Sequence, residues 1–177
     1  MITTMQSQTK TKITAQRIAT VAILSSLALI FSYVEAIIPY NPGIPGIKLG
    51  IANIVAIIAL YKLSVKDAIL INFIRIIIAG LLFNGLFGTL YSLCGATVSM
   101  TGMVLLKKTN KFTIVGVSMA GGVLHNLGQL ILAGFIIEDV RIFYYFPVLM
   151  VSGIISGIAI GIGGYYIVRA LPDLKSR

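Results

Sequence analysis

The sequence runs without a charged residue from residue 76 to residue 106. A membrane-spanning helix needs only about 20 apolar residues, so this stretch is too long for one span. Asn84-Gly85 lies within it and is a strong turn signal. The stretch therefore predicts two membrane spans joined by a tight turn.

The overall composition is that of a membrane protein. Of the 177 residues, 58% are hydrophobic and 11% are charged, whereas soluble domains have about 25% charged residues. The net charge of +9 would indicate a nucleic-acid partner in a soluble protein. Here the basic residues lie between apolar runs and at both ends, so they report membrane orientation and no nucleic acid is expected. The single cysteine, Cys94, excludes a disulfide framework and a metal-thiolate cluster.

Six transmembrane helices are predicted, in one all-α domain of residues 15–170. They cover about residues 15–38, 47–63, 66–83, 86–106, 113–137 and 142–169. Residues 1–14, expected to be mobile, and residues 171–177 are interpreted as cytoplasmic tails. Eleven Lys and Arg residues fall on the predicted inner side and two in the outer loops, which places both termini in the cytoplasm of a multi-pass plasma-membrane protein.

Local sequence features characterise three of the spans. Ser64-Val-Lys-Asp67 predicts a capping box at the start of the third span. The second span is unusually short, because its uncharged part, residues 49–61, makes only about 20 Å of helix against a hydrocarbon core of about 30 Å. The glycines of Gly153-xxx-Gly157-xxx-Gly161 predict close internal packing of the last span.

A segment rich in proline and glycine precedes the second span. Residues 39–53 read Pro-Tyr-Asn-Pro-Gly-Ile-Pro-Gly-Ile-Lys-Leu-Gly-Ile-Ala-Asn, with one cation, Lys48. Irregular backbone next to a bilayer is tolerated only where protein or a water-filled cavity satisfies it. We interpret the segment as a structured loop over an outward-facing cavity, and an ordinary connector is the alternative.

Several polar residues lie at membrane depth. Arg75 is about 13 Å into the third span and needs either a partner, for which Glu35 is the obvious candidate, or a wet cavity. His125, Asn126 and Gln129 form the densest polar cluster, as a ligand site or as an interhelical hydrogen-bond network. The cations and donors favour an anionic ligand. The candidate substrate-binding residues, chosen by depth and polarity, are Lys48, Asn53, Arg75, His125, Asn126 and Gln129.

The sequence offers little for catalysis. It has no Asp-rich motif for magnesium diphosphate, no glycine-rich phosphate loop, no zinc-ligand spacing and no recognisable nucleophile-base pair. We therefore expect no enzyme activity, no metal and no cofactor. Since the chain also lacks an ATP site, an active pump would need separate motor subunits.

Three motifs together resemble a known membrane family. They are Pro-Gly-Ile-Lys-Leu-Gly-Ile-Ala-Asn at residues 45–53, then Arg75, then His-Asn-Leu-Gly-Gln at residues 125–129. This pattern resembles the family labelled both heptaprenyl diphosphate synthase component I and Gx transporter, over about residues 15–170. That family is similar in size and six-span layout to the substrate-binding S components of energy-coupling factor (ECF) transporters.

The resemblance implies a mechanism of import. In S components the loop between the first two spans gates an outward-facing site, and small residues of span 1 dock onto a transmembrane T subunit. Two cytoplasmic ATPases then drive the S component to topple and release its ligand inside. Carried over, residues 39–48 would be the gate, and the docking stripe would be Ala15, Ala19, Ala22 and Ser26.

Other interpretations stay open at this point. The small residues of span 1 also suit internal helix packing. The ligand class is a small anionic or amphiphilic nutrient, with an isoprenoid or quinone precursor suggested by the family's synthase label. Instead of an S component, the chain could be a noncatalytic membrane subunit of a heptaprenyl diphosphate synthase, or a stand-alone facilitator or membrane scaffold.

Overall fold

The computed structural model describes residues 2–38, 50–172 and 174, and these residues form an all-helical bundle. The α-helices are α1 (Ile2–Ile37), α2 (Asn53–Lys62), α3 (Val65–Ala79), α4 (Gly85–Lys108), α5 (Ile114–Ile137) and α6 (Phe146–Ala170). A π-helical segment, Gly80–Asn84, precedes α4, and a 3-10 segment, Val140–Tyr145, precedes α6. Four stretches are long and apolar enough to cross a membrane, namely Ala15–Ile37, Val65–Lys108, Ile114–Ile137 and Val140–Ala170.

The stretch Val65–Lys108 contains two helices that fold back on each other. Gly85 has a φ of 67°, a left-handed conformation that glycine adopts without strain, and it turns the chain after Asn84. Beyond the turn, the Thr89 side chain packs so closely on Gly80 that a methyl group added there would collide with it. The predicted Asn-Gly turn is confirmed, although the π-helical segment before it was not predicted.

Helix α2 is shorter than the predicted span and lies in the interior. It begins at Asn53 rather than at residue 47, and the part of the prediction at residues 47–49 lies outside the described residues. Its ten residues rise about 15 Å, half of a hydrocarbon core. Residues 55–60 are all buried, because α1, α3 and α6 pack around the helix. Six complete membrane crossings and cytoplasmic termini therefore stay predictions.

The first and last spans also differ from their predicted bounds. Helix α1 begins at Ile2, so residues 2–14 continue the helix of the first span, and their role as a cytoplasmic tail stays a prediction. No glycine or proline occurs before Pro39, and nothing in this part of the sequence stops the helix. The last span does not begin as an α-helix, since α6 starts at Phe146 with Pro147 in its first turn, a position where the missing N–H costs nothing.

Helix α3 begins at the predicted capping box. The Asp67 N–H donates to Ser64 Oγ at 3.1 Å, and the Ser64 N–H donates to Asp67 Oδ2 at 3.4 Å. Arg17 of α1 donates from Nη2 and Nε to Asp67 Oδ1 at 2.7 and 3.0 Å. The capping box is confirmed, and its carboxylate also joins α1 to α3.

The glycine stripe of α6 packs against α5. A methyl group added at Gly157 would lie 2.6 Å from the Met119 Cα, and one added at Gly153 would lie 2.9 Å from the Gly122 carbonyl oxygen. These neighbours are backbone atoms, which cannot move aside as a flexible side chain can. The predicted role in internal packing is confirmed, and it places the polar cluster of α5 beside α6.

Candidate functional site

A cavity of about 360 Å³ opens among the helices near the ends of the α1–α2 and α3–α4 connections. All six helices contribute to its wall, from Ser32 and Glu35 near the end of α1 to Ser156 in α6. The fold brings five of the six predicted substrate-binding residues to this wall, and Lys48 lies outside the described residues. The five are Asn53, Arg75, His125, Asn126 and Gln129. Their role as ligand contacts stays a prediction.

Arg75 is held at the cavity by neutral groups. Its Nη2 donates to Asn72 Oδ1 at 2.7 Å, and its Nη1 donates to Ser32 Oγ at 3.4 Å. Its Nε is buried and has no hydrogen-bond partner among the described residues. In that part of the chain the two ion pairs are Arg17–Asp67 and Arg141–Asp139, so no carboxylate lies within 4.0 Å of the Arg75 guanidinium. An ion pair with Glu35, considered from the sequence, is not formed.

Glu35 instead binds the start of α2. One carboxylate oxygen accepts from the Gly50 N–H, and the other accepts from the Ala52 N–H at 3.4 Å. The N-terminus of a helix has unpaired N–H groups and a partial positive charge, so a carboxylate there is stabilising. This role was missed, although Glu35 is the only carboxylate of the first span and α2 has no side-chain cap of its own.

His125 and Gln129 share a face of α5, as their spacing predicts, and pack over a glycine of α4. A methyl group added at Gly95 would lie 2.8 Å from the His125 carbonyl oxygen and 3.0 Å from both side chains. Gly95 therefore makes room for these two side chains at the cavity wall. Gly95 could not be singled out from the sequence, because nothing near a glycine in a long apolar run shows which side chains it will face.

Asn126 takes part in the interhelical network that was the alternative to a ligand site. Its Nδ2 donates to the Leu149 carbonyl oxygen in the first turn of α6, at 2.7 Å. The bond joins α5 to α6 at the level of the cavity. Asn126 therefore has a structural partner while it also lines the wall.

Serine hydroxyl groups were also missed. Five serines line the cavity, namely Ser32, Ser92, Ser99, Ser118 and Ser156. Ser99 Oγ donates to the Gly121 carbonyl oxygen at 2.8 Å, and Ser32 Oγ donates to the Ala28 carbonyl oxygen at 3.0 Å. A serine in an apolar helix commonly forms a hydrogen bond to nearby backbone and needs no cavity to satisfy its hydroxyl group. A serine in the sequence is therefore only weak evidence of a cavity.

The small residues of α1 lie on the outside of the bundle. All four predicted docking residues, Ala15, Ala19, Ala22 and Ser26, are exposed. Large apolar neighbours on the same helix are exposed as well, including Ile18 and Ile23. Internal packing, the alternative for this stripe, is not found, and docking to a partner stays a prediction.

The comparison with protein families identifies one match. The model of the family described as heptaprenyl diphosphate synthase component I matches residues 24–167. No curated protein and no solved structure matches the chain significantly. The matched range includes every predicted substrate-binding residue and covers well over half of the sequence. The chain therefore belongs to the heptaprenyl diphosphate synthase component I family.

Proposed function

We propose that this protein is the substrate-binding S component of an ECF-type importer in the plasma membrane. Its ligand would be a small anionic or amphiphilic nutrient, such as an isoprenoid or quinone precursor. The observation that carries the proposal is that Arg75, a cation at the cavity wall, makes its hydrogen bonds within the described residues to neutral groups only. Charge-assisted hydrogen bonds to an anion are strong in such a low-dielectric site.

The position of the cavity supports uptake from outside. The cavity lies next to residues 38 and 50, which flank the proline- and glycine-rich segment. With the orientation that the lysine and arginine distribution predicts, this end of the bundle faces the exterior. Residues 39–48, which lie outside the described part of the chain, would then act as the gate over the site.

In this proposal the chain binds its ligand and performs no chemistry. The energy would come from two cytoplasmic ATPases acting through a transmembrane T subunit. The exposed stripe of Ala15, Ala19, Ala22 and Ser26 would contact that subunit, because small residues let another helix approach closely. All six helices would belong to the membrane domain, with the short α2 enclosed by the others.

A second candidate is favoured by the family description itself. A noncatalytic membrane subunit of a heptaprenyl diphosphate synthase would use the same cavity to bind a prenyl diphosphate. Its catalytic partner would supply the Asp-rich motifs that this sequence lacks. The two candidates differ in their protein partners, and this difference can be measured.

The test is purification of the tagged full-length protein from its native membranes in mild detergent, with its partners identified by mass spectrometry. Recovery of a multispan T protein with two ATPases would support the S-component proposal. Recovery of a prenyl synthase with paired Asp-rich motifs would support the second candidate. Recovery of neither would contradict both and favour a stand-alone carrier or scaffold.

A further inference from the structure

We propose that the ligand is an amphiphile whose anionic head contacts Arg75 and whose apolar chain lies in a groove between α3 and α4. The inference rests on the proposed ligand-binding function. It narrows the ligand from small anionic or amphiphilic nutrients to molecules that carry an anionic head and one long apolar chain.

The groove is a second cavity, of about 310 Å³. Its α3 wall is one helical face, formed by Val65, Ile69, Asn72, Phe73 and Ile76. Its α4 wall is the face that runs from Leu93 to Leu105. Most of these side chains are apolar, as an apolar chain requires.

The two threonines of the α4 wall do not make the groove polar. The Thr97 hydroxyl donates to the Leu93 carbonyl oxygen at 2.8 Å, and the Thr101 hydroxyl donates to the Thr97 carbonyl oxygen at 2.8 Å. Each hydroxyl proton is therefore bound within α4 itself. An occupant that covers them would leave no hydroxyl proton without an acceptor.

The groove and the cavity share one wall residue, Ile76, which follows Arg75 in α3. Asn72 lines the groove while its Oδ1 accepts the hydrogen bond from Arg75 at 2.7 Å. The guanidinium is thus one hydrogen bond away from the groove wall. A chain attached to an anion at Arg75 would therefore enter the groove beside Asn72 and Ile76.

The length and depth of the groove suit one chain of a single-headed amphiphile. Eleven residues separate Val65 from Ile76, which is about 16 Å along the helix and enough for roughly a dozen extended carbons. The side chains of Phe73 and Leu105 are more than half exposed, so the groove opens to the outside of the bundle. A bilayer lipid could place a chain here, but its head would remain at the interface and not at the depth of Arg75.

The experiment is calorimetric titration of the purified full-length protein in detergent micelles with butyl phosphate, dodecyl phosphate and dodecanol. Wild type should bind dodecyl phosphate about tenfold more tightly than butyl phosphate, which corresponds to about 1.4 kcal/mol. The gain is modest because a chain in a micelle is already shielded from water, so only its packing in the groove adds affinity. Dodecanol should bind weakly because it lacks the charge.

Three variants locate the head and the chain. Ala96→Phe fills the groove and should abolish the preference for the long chain while leaving butyl phosphate binding intact. Arg75→Gln should weaken the binding of both phosphates. Leu86→Phe is the matched control, because Leu86 is exposed on α4 and lies outside the walls of cavity and groove. If Ala96→Phe does not fold, Thr101→Phe replaces it, since Thr101 lines the groove but is exposed.

The outcomes separate this inference from the proposed function. Equal affinity for the two phosphates, or a chain preference that survives in Ala96→Phe and Thr101→Phe, would overturn the inference and leave the anion site in place. Absence of binding by either phosphate would overturn both the anion site and the inference. Dodecanol binding that persists in Arg75→Gln would identify a lipid groove unconnected with Arg75 and would also overturn the inference.

A further titration determines whether the apolar chain of the natural ligand is an isoprenoid or a straight alkyl chain. Farnesyl phosphate and dodecyl phosphate carry the same kind of head on branched and straight chains. Tighter binding of farnesyl phosphate would support the inference with an isoprenoid ligand, and tighter binding of dodecyl phosphate would support it with a straight-chain lipid phosphate.

Discussion

Replacement of Arg75 by methionine tests whether this guanidinium serves the fold or a ligand. Methionine keeps an unbranched apolar stem of similar reach and removes the charge. The structure shows hydrogen bonds from Arg75 to Asn72 at 2.7 Å and to Ser32 at 3.4 Å, with no direct carboxylate partner in the described part of the chain. The substitution should therefore not lower the free energy of unfolding of the ligand-free protein.

The opposing free energies nearly cancel. An arginine at the centre of a membrane helix costs about 2.5–3.5 kcal/mol, which its removal recovers. Loss of the short hydrogen bond to Asn72 costs about 1.5–3 kcal/mol, as for a bond to a charged group. We expect the free energy of unfolding to stay unchanged or to rise by up to about 2 kcal/mol. The loss of one partner from a buried ion pair would instead lower it by about 3–5 kcal/mol.

The assay is thermal unfolding in detergent, followed with a thiol-reactive dye on Cys94, the single cysteine. In a protein of this size about 1 kcal/mol shifts the Tm by roughly 2–4 °C, so loss of an ion pair would lower it by at least about 6 °C. Butyl phosphate affinity, measured in parallel, should fall at least about tenfold, because a hydrogen bond to a charged group contributes about 1.5–3 kcal/mol.

The control is Arg169→Met. Arg169 is exposed in the last turn of α6, where its Nη1 donates to Tyr165 Oη at 2.6 Å, and it does not line the cavity. This variant should change neither affinity nor stability appreciably. If Arg75→Met lowers the ligand-free Tm by more than about 6 °C and leaves phosphate affinity unchanged, Arg75 serves the fold and does not bind the anion.

Three further predictions test the packing, a helix start and the docking surface. Gly157→Ala should lower the free energy of unfolding by about 1–3 kcal/mol because the added methyl group meets the α5 backbone. Gly116→Ala, whose nearest contact is 3.6 Å, should be neutral or stabilising, and equal Tm shifts would contradict this account. Ser64→Ala should cost about 1 kcal/mol through loss of the N-cap, and an unchanged Tm would count against the cap. Ala19→Trp should abolish co-purification of the T subunit and ATPases while sparing phosphate binding. Ile155→Trp, at another exposed position of the bundle, should retain the complex, and intact assembly in both would argue against docking through α1.

Local features of the fold could be predicted from sequence because their causes lie within a few residues. Ser64 and Asp67 can satisfy each other's backbone groups wherever a helix starts, and Asn84-Gly85 supplies the left-handed turn regardless of its neighbours. The extent of α2 was predicted less well. Its apolar residues suit a membrane-crossing helix and an enclosed helix equally, so composition could not distinguish the two.

The candidate site could be predicted in part. Arg75 and His125 stood out because polar residues at membrane depth are costly and need a partner or a cavity. Glu35 was also noticed, but only as a candidate partner of Arg75, and its hydrogen bonds to the start of α2 were not predicted. Gly95 was missed because its role is to leave room for the His125 and Gln129 side chains, which belong to another helix.

The sequence by itself determined that this chain is an apolar helical protein with a few costly polar groups, and where several of its helices begin and turn. Only the tertiary structure decided which partner each polar group finds and where the helices leave space. The physical reason is that these helices are apolar on nearly every side, so periodicity does not mark the packed face. Arg75 and Asn126 each bond to a group on another helix, and Glu35 bonds to the backbone just before α2.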